Sequence, residues 1–168
     1  MNDAYFTYDM GDGPYRQCEE SYKPTENDAL KFTTNVIAAL RHGTDPKVAA
    51  SLFAEDAVLF ATLSGEFKTT NHEILNYFKA FLVKIPGLKS DTPQKQTVRR
   101  LGPNTFGCYF YVPFHFHHQP SILNRMTFIV EYHHHHRDFK IKLLHASVLP
   151  DDDYWRSSVY AYKTDYKK

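Results

Sequence analysis

Apolar residues recur along this chain at two different spacings, and the change of spacing divides it. From Ala29, the positions Phe32, Val36, Ile37 and Leu40 repeat every three or four residues, the period of one helical face. Thr25 and Asp28 precede them at the separation of an N-cap and its third helical residue, with Asp in place of the usual Glu of a capping box. His42-Gly43 supplies a glycine at the far end. Asp45-Pro46 opens a second, short helix with Val48, Leu52 and Phe53 as its stripe, proline being preorganised for the first helical position. Thr70-Asn71-His72-Glu73 is a complete capping box. Ile74, Tyr77, Phe78, Phe81 and Leu82 then share one helical face until Pro86-Gly87 stops the run.

Elsewhere the period is two. Ala57 to Thr62 alternates as a strand and ends in the polar pair Thr62 and Ser64 around Gly65. Thr97 to Leu101 runs into the turn Gly102-Pro103-Asn104. Between Phe106 and His117, Phe106, Cys108, Phe110, Val112, Phe114 and Phe116 take one face, and Tyr109, Tyr111, His115 and His117 the other. Arg125–Tyr132 and Phe139–Val148 complete a meander, with turns at Gln119-Pro120 and at His133 to Asp138. Three helices followed by long antiparallel strands predict an α+β domain rather than a parallel βαβ sheet. The expected organisation is an extended N-terminal arm over 1–24, one domain over 25–150 and a C-terminal extension over 151–168. The Tyr154, Trp155, Tyr160 and Tyr162 side chains of that extension predict packing on a neighbouring surface.

Composition narrows the class. With 168 residues, 42% of them apolar and 15% aromatic, the chain has the size of one domain and too many aromatics for a disordered one. Twenty basic against nineteen acidic side chains, net +1, provide no bulk field for a nucleic acid or an anionic membrane. Cys18 and Cys108 are too few for a disulfide framework, and the N-terminus has neither a basic nor an apolar signal region, so a soluble cytoplasmic protein is expected. No Gly-rich phosphate loop, GxSxG elbow or CxxC is present, which leaves nucleotide and cysteine chemistry unsupported. His133–His136 and the group His115, His117 and His118 invite a metal. However, placing His117 opposite Leu123 sets the two groups about 33 Å apart at strand rise. A local His-x-His chelate on either strand stays open, but zinc sites usually recruit ligands from more than one element, so no metal is expected, and no cofactor either.

Several of these motifs together resemble one family. Asp56-Ala57-Val58, Thr62-Leu63-Ser64, Thr69-Thr70, Tyr77-Phe78-Lys79-Ala80-Phe81-Leu82, Arg125-Met126-Thr127-Phe128 and Leu143-Leu144-His145-Ala146-Ser147-Val148-Leu149-Pro150 occur in the order of the nuclear transport factor 2-like (SnoaL-like) superfamily. The pattern is that of its branch of SgcJ/EcaC-type proteins, calcium/calmodulin-dependent kinase II association domains and iota-class carbonic anhydrases. That branch closes with His-His-His-Ser-Ser-x-Met-Pro. Here Leu143 and Leu144 replace two of the histidines, Ala146 the first serine and Leu149 the methionine.

The resemblance implies a cone-shaped α+β fold, N-terminal helices on a strongly curved antiparallel sheet around a central polar and aromatic pocket. It implies a metal-independent lyase reaction, hydration of carbon dioxide, with Thr62, Tyr77, His145 and Ser147 as catalytic groups and Arg125, Ser64, Tyr109 and Tyr111 binding the ligand. The four catalytic groups should then converge on one cavity. The alternatives to this leading reading are a non-catalytic small-ligand-binding or biosynthetic accessory protein, and an association module. A homodimer through the sheet faces, or a larger ring, is the expected assembly.

Overall fold

The computed structural model describes residues 22–61, 67–117 and 119–149. Thr62, Ser64, His118, most of the N-terminal arm and all of the C-terminal extension lie outside the described residues.

Helix α1 (Glu26–Ala39) begins where its capping pair predicts. Asp28 N donates to Thr25 Oγ1 at 3.2 Å, and Thr25 N to Asp28 Oδ2 at 2.9 Å. Its buried stripe includes Thr33, whose hydroxyl donates to the Ala29 carbonyl at 2.8 Å and so enters the core satisfied. Asp45 caps α2 (Pro46–Ser51), and Thr70 with Glu73 forms the box that starts α3 (Asn71–Phe78). Phe53, expected on the α2 stripe, instead begins strand β1 (Phe53–Phe60) and pairs with Ile141. After Phe78 the backbone widens into a π-helical turn, Lys79–Val83, where a uniform α-helix was expected. Single π-turns of this kind recur at functional sites. Gly87 then reverses the chain at φ +67°. A Cβ there would sit 2.8 Å from that of His117, so both conformation and space require glycine.

The remaining strands are β2 (Phe67–Lys68), β3 (Lys89–Ser90), β4 (Lys95–Arg100), β5 (Thr105–Phe116), β6 (Gln119–His133) and β7 (Asp138–Val148). They form a seven-stranded sheet in the order β2-β1-β7-β6-β5-β3, with β4 also on β5. The fold class is the α+β one expected, with one refinement: β1 pairs with β7 in parallel, while the other ladders are antiparallel. No tight turn joins β1 to β7, so nothing local fixes the direction of that pairing. The β5–β6 hairpin is tighter than expected, with Phe116 opposite Gln119 and Leu123 opposite Pro113, not His117.

Alternation gives the sheet two faces. Phe106, Cys108, Phe110, Val112 and Phe114 of β5 join Met126, Phe128 and Val130 of β6 in the core under the helices. The β7 strand changes parity on the way. Ile129 pairs with Leu143 but Val130 with Ile141, so Lys142 is an extra residue, a β-bulge. Before it Phe139 and Ile141 point inward; after it Leu144 does, and His145 is exposed. Lys142 itself binds the Asp56 carboxylate of β1.

Candidate functional site

At the end of the sheet where β5, β6 and β7 carry Phe114, Asn124 and Ala146 inward, helix α3 and its π-turn stand off enough to leave a cavity of about 70 Å³. Tyr77, Phe78 and Phe81 form its helical wall, with the Tyr77 ring stacked on Phe81 at 5.4 Å and 17°. Leu59, Ile122, Met126, Leu144 and Val148 complete most of the opposite side. The lining is apolar except for Tyr77 and Asn124. Asn124 is buried, and its Nδ2 donates to the Ile122 carbonyl at 3.4 Å. Burial pushes the Tyr77 phenol well above its ordinary pKa, because the phenolate would have to be desolvated. Tyr77 thus stays protonated, a hydrogen-bond donor rather than a base.

The expected catalytic set does not gather here. Tyr77 lines the cavity, whereas His145 and Ser147 take the opposite face of β7, on which His145 is exposed. The reason is the Lys142 bulge: strict alternation from the buried Phe139 and Ile141 would have turned His145 and Ser147 inward, and one extra residue turns Leu144 and Ala146 inward instead. Both inward positions are among those where the chain departs from the closing His-His-His-Ser-Ser pattern, Leu143 on the outer face being another. The pocket expected to be polar and aromatic is aromatic, but the rest of its lining is mostly apolar. Thr62 and Ser64 lie outside the described residues.

Of the expected ligand-binding residues, Arg125, Tyr109 and Tyr111 lie near one another on the outer face, and Ser64 is outside the described residues. Two cross-strand rows run side by side there: Lys95, Tyr111, Arg125 and Ser147, then Thr97, Tyr109, Thr127 and His145. Lys95, Thr97, Tyr109, Tyr111, Arg125 and Thr127 of these rows line an open groove of about 600 Å³. Arg125 Nε and Nη2 both donate to Ser147 Oγ at 3.4 Å, the Lys95 ammonium lies 5.8 Å from the Tyr111 ring centre, and His145 stands edge-on to Phe60 at 5.8 Å.

Asn124 and Ile122 are cavity residues that the sequence reading missed. Their signal was present, since they share the even parity of Met126 and Phe128, but the reading began its strand at Arg125. Among the described residues no three His, Cys, Asp or Glu side chains gather to hold a metal, and no helix is long and apolar enough to cross a membrane.

No protein-family model and no curated protein sequence matches the chain. Solved structures do. A protein of Xanthomonas campestris described as a calcium/calmodulin-dependent protein kinase II association domain is 26% identical; it superposes with a TM-score of 0.63 over 76% of this chain and 91% of its own. A nuclear transport factor 2-like protein of unknown function from Pseudomonas putida gives 0.63 at 12% identity, over 76% of this chain and 88% of that one. A ketosteroid isomerase-type protein of Parabacteroides distasonis gives 0.60 at 15%, over 79% and 94%. With helices packed on one face of a mixed sheet and a cavity between them, the chain has the nuclear transport factor 2-like, cystatin-like α+β fold.

Proposed function

We propose that the inner cavity binds a small, largely apolar molecule bearing one hydrogen-bonding group. The observation that carries this reading is the chemistry of the lining: an aromatic and aliphatic wall with two polar side chains, the Tyr77 phenol and the Asn124 amide. Sites of this composition take their affinity from apolar burial and their orientation from a few polar contacts. Carbon dioxide hydration, the activity the resemblance implies, needs a group to accept a proton from water and donors for the nascent bicarbonate. The neutral Tyr77 is no such acceptor, and Leu144 and Ala146 occupy the inward positions where the branch pattern has His and Ser. Binding without hydration therefore fits the cavity better. A thermal-shift series with small phenols, ketones and hydrocarbons is expected to raise the melting temperature for ligands that fit, while stopped-flow assays show no acceleration of carbon dioxide hydration. Rapid hydration by chelator-treated protein, reduced by Tyr77→Phe, would reverse the choice.

Assembly is a second reading, favoured by the 26% identity to the association-domain protein and by an outer row of Val58, Leu143 and Ile129 that is apolar and partly exposed. A homodimer through this row has twice the 19.6 kDa chain mass, and light scattering at micromolar concentration tests it.

A further inference from the structure

The outer groove presents two features that an isolated sheet face leaves uncovered. It is cationic: Lys95 and Arg125 share one row and Arg99 stands in the next but one, with no carboxylate in any of the three. It is also aromatic, with Tyr109 37% exposed beside Tyr111. The complement to both is in the chain's own sequence. Immediately after Pro150 come Asp151-Asp152-Asp153, then Tyr154 and Trp155.

The route is short. Leu149 N donates to the Leu123 carbonyl at 2.8 Å, so the chain leaves β7 two residues from Ser147 and its row partner Arg125. Tyr111 lies two strands across from β7, about 10 Å at ordinary strand spacing, a gap that three or four extended residues cover. The N-terminal arm has a longer way to come. Tyr22 packs on Tyr132 at 5.2 Å, at the other end of β6, about 23 Å along the strand from Arg125.

We propose that residues 151–168 fold back over the outer groove of their own subunit, the Asp151–Asp153 carboxylates meeting Arg125 and Lys95 and Trp155 lying against Tyr111. Charge-assisted contacts fix the register, and the aromatic contact removes tyrosine surface from water. In this arrangement the extension closes a cationic face that would otherwise be open to anionic or aromatic partners.

Trp155 is the single tryptophan of the chain, so its fluorescence reports on this contact alone in the full-length protein. The expected emission is blue-shifted, and acrylamide quenches it less than it quenches a free 151–168 peptide. Arg125→Glu, Lys95→Glu and Tyr111→Ala should each move it toward the peptide value while circular dichroism stays native. High salt should weaken the protection, because exposed charge pairs are screened. Combining Arg125→Glu with Asp152→Lys should restore part of it. Peptide-like emission in the wild type, or protection indifferent to all three groove variants, would overturn the proposal. So would protection lost on dilution in step with dimer dissociation, which would assign the groove to a second copy.

Discussion

At Ala146 a single methyl group faces the cavity where the closing pattern of the resembled branch places a serine. A larger side chain there has open volume to enter, so Ala146→Phe should occupy the cavity and abolish ligand-induced thermal shifts. Its cost in stability stays within the usual overpacking range of about 1–3 kcal/mol. Tyr77 gives the complementary test. Among the described residues its hydroxyl has no hydrogen-bond partner, so Tyr77→Phe should leave the melting temperature almost unchanged and weaken only those ligands that present an acceptor. If the phenol is instead a structural bond, removing it lowers stability by about 0.5–1.5 kcal/mol for every ligand state alike. Most of the lining residue types were legible in the sequence, since Tyr77, Phe78, Phe81 and Phe114 lie on stripes of clear period. The inward and outward assignment of His145 and Ser147 was not, because it hangs on one extra residue, Lys142, that the alternation of side chains does not reveal.

The helices show how far local rules reach. Thr25, Asp45 and Thr70 each cap the helix their spacing marks, because a cap is decided by residues two or three apart. Thr70→Ala should therefore cost about 1 kcal/mol in denaturant unfolding, without touching ligand selectivity. The π-turn, the parallel β1–β7 pair and the Lys142 bulge left no such mark, being settled by packing between distant segments. Asp56 links two of these features. Its hydrogen bond from Lys142, the largest cause, holds its pKa below the ordinary 3.8. A group depressed in the folded state stabilises it fully above 3.8, and the contribution disappears as pH falls through the lower folded value. Asp56→Asn should accordingly flatten the acid limb of the melting profile and leave the neutral-to-alkaline side parallel to wild type. An unchanged acid limb would show that the Asp56–Lys142 pair contributes nothing to the bulge.

For the molecule as a whole, the two faces of the sheet divide the chemistry that the sequence reading placed in one pocket. The inner face is an apolar chamber under α3; the outer face carries Arg125, Tyr109, Tyr111, His145 and Ser147 in two rows. Perturbing one face should leave the other intact. Arg125→Glu is expected to change Trp155 emission without altering ligand-induced thermal shifts, and Ala146→Phe to do the reverse. The most direct check of the inner-face site is methyl NMR of the full chain titrated with xenon, a small apolar probe that enters dry protein cavities and suits one of about 70 Å³. Saturable shifts are expected at the methyls of Ile122, Met126, Leu144 and Ala146, all of them on the cavity wall, and should vanish in Ala146→Phe. Shifts confined to outer-face methyls such as Leu143 and Ile129, or none at all in a protein shown to be folded, would contradict an apolar ligand chamber.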